Sequence, residues 1–202
     1  MTMRVVVDNG PGKRRASTGR SLKSAQPQIV LRAAVSADAA ALHALIASHL
    51  EEGRLLPRTL DELTIHAPRF VVAVDGGQVV GCAELAPLSQ EVAEVRSLVV
   101  SRDARRLGVG VRMVEELALR ARREGYRRLT AFAHDPAFFV RRGFSIVPHT
   151  WVPEKIAHDC TACPLFRNCG QYAIALELDR ARVERSSNLR RTAVGPSSPA
   201  HV

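Results

Sequence analysis

The richest chemical spacing in the chain runs from Val99 to Arg112: Val-Val-Ser-Arg-Asp-Ala-Arg-Arg-Leu-Gly-Val-Gly-Val-Arg. An apolar β-type run ends, a basic loop with two glycines follows, and a helical apolar period begins. Such a junction leaves the first amides of a helix without intrahelical acceptors, at the positive end of the helix dipole. Gly108 and Gly110 let the backbone approach a ligand with no Cβ in between, and Arg105 and Arg106 add positive charge beside it. The ligand that suits this chemistry is a phosphate or pyrophosphate. Two common phosphate loops do not fit. A Walker loop needs Gly-Lys-Ser/Thr, and a dinucleotide fingerprint needs a third small residue where Met113 stands.

A second chemical segment is His158-Asp-Cys160-Thr-Ala-Cys163-Pro-Leu-Phe-Arg-Asn-Cys169. With His158 or His149, the thiols of Cys160, Cys163 and Cys169 could make a Cys₃His zinc knuckle. A strong zinc signature has two Cys-x-x-Cys pairs, and here there is one. The alternatives are three reduced thiols in a loop or a redox-labile pair. Cys82, inside an apolar run, reads as a small core residue.

These segments need elements to hold them. Ile29–Ala34 reads as a strand. Ala37–Leu50 reads as a helix with Ser36 as N-cap and Ala41, Leu42, Leu45, Ile46 and Leu50 inward. Thr59-Leu-Asp-Glu62 is a capping box that starts a second, short helix. Phe70–Val74 and Gln78–Leu85, joined by Asp75-Gly76-Gly77, form a hairpin. Glu91–Val100 is a longer strand that leads into the junction. Gly108–Glu124 is a helix with Val111, Met113, Val114, Leu117, Leu119 and Ala121 on its apolar face, and Gly125 ends it. Then come a strand (Arg128–Ala133), a short helix (Pro136–Arg142) and strands at Phe144–Val147 and Tyr172–Leu178. The order β α α β β β α β α β β predicts an α/β (α+β) domain at 29–178, with the cysteine segment as an insertion at 153–170 before the last strand.

Charge and composition exclude other classes. The 202-residue chain has a formal net charge of +9, but residues 1–28 carry +5, residues 179–202 carry +3 and the rest only +1. Both ends read as flexible and basic; the leader's Arg/Ser-rich, acid-poor composition also fits an organelle transit peptide. Nucleic acid is therefore disfavoured as a partner of the domain, the more so because aromatics make up only 4% of the chain. No uninterrupted run of about 18 apolar residues is present, so no membrane helix is expected, and the location expected is cytoplasmic. A hydrophobic content of 46% supplies a core.

The pattern Arg105-x-x-Gly108-x-Gly110 resembles the pyrophosphate loop of the GCN5-related N-acetyltransferase (GNAT) superfamily, which binds acetyl-coenzyme A. Asp135-Pro-Ala-Phe-Phe-Val-Arg-Arg-Gly-Phe144 resembles that superfamily's Phe-Tyr-x-x-x-Gly-Phe segment. Glu52-Gly-Arg-Leu-Leu-Pro-Arg-Thr-Leu-Asp-Glu62, Val80–Leu85, Ala93–Val100 and Pro153–Cys169 look like the acetyltransferase domain of bacterial N-acetylglutamate synthases, especially the short, single-domain kind. The resemblance spans residues 29–178. It implies a GNAT fold with a mixed, mostly antiparallel central sheet flanked by helices. The implied reaction is acetyl transfer from acetyl-CoA to an amino acid, L-glutamate first, which is the opening step of arginine synthesis. The alternatives are another amine acceptor (a different amino acid, a polyamine, a protein N-terminus) or a non-enzymatic binding module with basic tails and a metal knuckle. A homodimer is an open expectation.

The implied reaction assigns roles. Acetyl-CoA would lie on Leu98, Val99, Val100, Arg105, Arg106, Leu107, Gly108, Val109, Gly110, Val111 and Phe139. The donor to the developing oxyanion would be backbone near Leu98. The base that takes the amine proton would be Glu94 or Glu84, with His134 a further candidate. Arg58, Arg96 and Lys155 would clamp the acceptor's carboxylates, with Leu55-Leu-Pro57 at the mouth. The tyrosine that often protonates the leaving thiolate falls on Phe139, which has no hydroxyl. Water would then supply that proton, or the thiolate would leave unassisted.

Overall fold

The computed structural model describes residues 28–50 and 55–178. The expected basic tail, the expected leader apart from Gln28, and Glu52–Arg54 lie outside the described residues.

Alternation along the strands builds two faces. In β2 (Phe70–Asp75), Phe70 and Val72 point to one side and Val71 and Ala73 to the other, and all four are buried. Gly76 and Gly77, at φ 54° and 86°, turn β2 into β3 (Gln78–Pro87). β4 (Val92–Val100) runs antiparallel to β3, and β1 (Val30–Ala33) covers the other edge of β2. β5 (Arg128–Ala133) is parallel to β4. β7 (Tyr172–Glu177) lies antiparallel to β5, with β6 (Ser145–Val147) outside it. The seven strands thus run β1-β2-β3-β4-β5-β7-β6, mostly antiparallel as the resemblance implies.

Helices close both faces. α1 (Ala39–Ala47) and α2 (Leu60–His66) cover Phe70, Val72, Cys82 and Val99. α3 (Val109–Arg123) covers Val71, Ala73, Ala83, Leu85 and Val95, while α4 (Ala137–Val140) follows β5. Met113 and Leu117 of α3 are fully buried, and each such side chain is worth about 1.5–3 kcal/mol.

Three local expectations need correction. Leu119 is 53% exposed, because about 100° per residue places it opposite Leu117 and Ala121; Val109 and Ala118 complete the buried face instead. Ser36 does not cap α1. A 3₁₀ turn, Ser36–Asp38, precedes the helix, and the Asp38 carboxylate accepts from the Val35 amide at 2.8 Å while pairing with Arg32. Thr59 does cap α2, accepting from the Glu62 amide at 3.2 Å, but the Glu62 carboxylate pairs with Arg58 at 2.8 Å.

Two irregularities in β4 position the site. Cys82 pairs with Val99 and Glu84 with Arg96, so Ala83 faces two residues, Ser97 and Leu98. This bulge puts Ser97 at φ 48° and reverses which face the following residues take. Beside it, the ladder to β5 ends at Val95↔Ala131, although β4 continues to Val100. The two parallel strands therefore part at residue 96, which leaves the β5-facing backbone of the last five residues of β4 outside that ladder.

Candidate active site

The junction after β4 has the geometry its glycines imply. Ser101 donates to the Val80 carbonyl at 2.8 Å, and a 3₁₀ turn at Arg102–Ala104 swings the chain outward. Arg106 and Gly108 adopt positive φ, 65° and 75°, and Gly108 is the N-cap of α3 with no side-chain cap. The first helical bond outside the element runs from the Arg112 amide to the Gly108 carbonyl at 3.1 Å. Among the described residues no backbone carbonyl accepts from the amides of Leu107, Gly108, Val109, Gly110 or Val111. Arg105 leans back on the Val100 carbonyl at 3.1 Å, and Arg106 is exposed. Open amides at the positive end of the helix dipole, with Arg105 and Arg106 in the same loop, are an arrangement that can take an anion.

The two glycines differ. Gly108 needs its left-handed φ, whereas a Cβ on Gly110 would meet the Phe138 ring at 3.5 Å, an ordinary contact. Nothing inside the fold therefore demands glycine at 110. The aromatic ring beside the loop is that of Phe138, which lies under the Arg142 guanidinium at 3.6 Å. Phe139, expected there, is 6% exposed and packs edge-on against Phe144 in the core. The Phe138-Phe139 pair is locally ambiguous, and the helix turn of α4 decides which ring turns inward.

The charged residues gather on the α1/α2 face of the sheet. Alternation places Glu84 opposite Arg96 across β3 and β4, with Glu94 two residues along. Glu84 is 1% exposed and Glu94 3%. Arg58 donates to Glu84 at 2.9 Å and to the Ser97 hydroxyl at 3.1 Å. Cys82 donates from its thiol to the Ser97 carbonyl at 3.5 Å, so the bulge is held from both sides. His66 sits 4.0 Å from Glu84, and its Nδ1 has no hydrogen-bond partner.

Glu94 accepts from Arg96 at 2.6 Å and from Lys155 at 2.9 Å on each oxygen. Asp159 closes the ring. It accepts from Lys155 at 2.8 Å, from Arg96, and from His158 at 3.0 Å. Burial would push the Asp159 carboxyl up, but Lys155, His158 and Arg96 hold it below its ordinary value. Burial opposes the Arg96 cation, and Glu94, Asp159 and Glu84 more than offset that, raising it. Arg58, Arg96 and Lys155, expected as carboxylate clamps, thus each already hold a carboxylate of the chain. Asp159, Ser97, Glu62 and His66 belong to this arrangement and were not singled out in the sequence. His134, a candidate base, is instead tied to the Gly170 carbonyl at 3.2 Å.

The structure gives the zinc expectation no support. Cys160, Cys163 and Cys169 are free thiols, and among the described residues no group of three His, Cys, Asp or Glu side chains is disposed to hold a metal. Cys82 is fully buried as expected, and burial pushes its thiol up to about 12.

A depression of about 500 Å³, lined by Leu31, Pro68, Glu116 and Arg120 among others, lies between β1 and the C-terminal half of α3 and contains none of these groups. No helix among the described residues is long and apolar enough to cross a membrane.

Residues 39–144 match the acetyltransferase (GNAT) family. The chain belongs to that family. This acyltransferase is 32% identical to an uncharacterized N-acetyltransferase of Chlorobaculum tepidum over 73% of its own length and 96% of that relative's. It is 31% identical to the amino-acid acetyltransferase of Neisseria meningitidis, over 65% of this chain but only 30% of that one. Among solved structures it resembles N-acetylglutamate synthase from Neisseria gonorrhoeae, complexed with coenzyme A and N-acetyl-glutamate. The TM-score is 0.68 at 27% identity, covering 77% of this chain and 36% of that chain. The chain thus spans about a third of the amino-acid acetyltransferases it resembles.

Proposed function

We propose that this acetyltransferase moves the acetyl group of acetyl-CoA to the α-amine of an amino acid, L-glutamate being the first candidate, as in arginine synthesis. The observation that carries the reading is the uncapped junction at Leu107–Val111 beside the parted ends of β4 and β5. The open amides and Arg105 and Arg106 suit the coenzyme's pyrophosphate. The β4 backbone at Leu98–Val100, outside the β5 ladder, suits its extended amide-bearing arm, which can pair there like a strand. The bulge presents backbone near Leu98 where the thioester oxygen becomes negative.

The acceptor comes from the opposite, charged side. Its carboxylate displaces Asp159 or Glu94 from Arg96 and Lys155. Glu94, relieved of a cation, takes the amine proton. The nitrogen then attacks the thioester carbon, the C–S bond breaks, and the nitrogen's second proton passes through water to the thiolate. Glu84, held by Arg58, is the second base candidate. The likeness to amino-acid acetyltransferases supports an amino acid over a polyamine or a protein N-terminus.

A thiol-release assay with acetyl-CoA against the twenty amino acids tests this. Turnover with glutamate well above the rest is expected. Turnover confined to non-amino-acid amines would refute the acceptor, and no binding of coenzyme would refute the whole reading.

A further inference from the structure

We propose that Cys160 and Cys163 are a modification site, a dithiol that a peroxide converts to an intrachain disulfide. The Cys163 amide donates to the Cys160 carbonyl at 3.1 Å, closing a four-residue turn. Such a turn holds its end Cα atoms within about 7 Å, overlapping the range of about 4.4–6.8 Å that a disulfide spans. The Cys163 carbonyl in turn accepts from the Phe166 amide at 3.0 Å, so the turn is anchored on its far side as well. Both thiols are free and half-buried. Cys169 lies beyond a 3₁₀ turn at Phe166–Asn168, with its thiol directed to Gln171 at 3.6 Å.

The step balances with a peroxide as oxidant. One thiolate attacks a peroxide oxygen, the O–O bond breaks, and a sulfenic acid and water result. The second thiolate attacks that sulfur, the S–O bond breaks and a second water leaves. Two thiols lose two protons and two electrons in all, and the peroxide is reduced to two waters.

The place gives the bond a consequence. Cys160 ends a π-helical turn, Ile156–Cys160, a form rare outside functional segments, and it directly follows Asp159. Asp159 bridges Lys155 and Arg96, the cations assigned above to the acceptor. A bond that fixes Cys160 against Cys163 moves the Asp159 carboxylate and so alters acceptor affinity. The junction before α3 is built from other elements and keeps its coenzyme affinity. This coupling rests on the proposed function; the disulfide itself does not.

The full chain is treated with hydrogen peroxide; one portion is unfolded in denaturant, alkylated and peptide-mapped, and acetyl transfer by the other is followed by loss of the thioester. The expected result is the loss of two of four alkylatable thiols, a Cys160–Cys163 link reversed by dithiothreitol, and no link in Cys160→Ser or Cys163→Ser. Cys169→Ser keeps it. The oxidised enzyme should show a KM for the amino acid shifted by about fivefold, with the KM for acetyl-CoA unchanged. Four thiols still alkylated, or a link through Cys169, overturns the site. A link with no shift in the acceptor KM overturns the coupling. If no amino acid is acetylated, the functional reading fails, and the peptide map still decides the disulfide.

Discussion

The junction before α3 and the charged face beneath α2 are built from different materials. The first is backbone: amides left open by a helix start, shaped by one glycine at φ 75°. The second is ionised side chains, Arg58 with Glu84 and Glu94 with Arg96, Lys155 and Asp159, and every charge in it is already answered within the chain. A backbone site is ready for an anion as it stands. A side-chain site in which carboxylates occupy the cations must exchange partners before an acceptor can enter. The junction therefore suits a ligand common to the whole family, and the charged face suits discrimination among acceptors.

Several substitutions separate the two. The largest effect is expected at Glu94→Gln: a kcat lowered by about 10²–10⁴-fold with coenzyme affinity intact, measured by single-turnover kinetics and calorimetry. If Glu84→Gln shows that loss and Glu94→Gln does not, the base moves to Glu84. Next comes the junction. Gly108→Val and Gly110→Val should abolish acetyl-CoA binding in calorimetry. Gly110→Ala should weaken it while leaving the thermal midpoint unchanged, since its Cβ meets only ordinary contacts. Unaltered affinity in both valine variants would remove the coenzyme from this junction.

Arg58→Ala should cost about 3–5 kcal/mol in denaturant unfolding, because it strands Glu84 buried without its cation. It should also raise the KM for the amino acid more than that for acetyl-CoA; equal effects would make Arg58 purely a support of the bulge. The smallest effect is at Asp159. Its carboxyl is held below the ordinary value, so its contribution is complete at neutral pH and fades as pH falls through the lowered value. Wild type and Asp159→Asn should therefore differ in thermal midpoint near pH 7 and converge only as pH falls below the ordinary carboxylate range. A difference that persists in acid would show that the Asn variant fails through packing.

What could be read from the chain was what depends on near neighbours. The hairpin at Gly76-Gly77, the Thr59 cap, the period of α3 and the Gly108-x-Gly110 loop are each set within a few residues, where sterics and hydrogen bonding act directly. The α/β class followed from the order of its elements, and the sheet's mixed character from the family resemblance. Which phenylalanine turns inward, 138 or 139, did not, because both are apolar and adjacent.

The sequence by itself determined the helix start with its glycines and the strands that frame it, since helix termini and glycine conformations are local properties. It also named Glu84, Glu94, Arg58, Arg96 and Lys155 one by one. Only the tertiary structure decided that Lys155 meets Glu94 across 61 residues, that Arg58 reaches Ser97 across 39, and that Asp159 closes the ring. Ion pairing between distant residues is settled by strand register and by how a loop folds back over the sheet. A one-residue bulge in β4 is enough to exchange which side chains share a face.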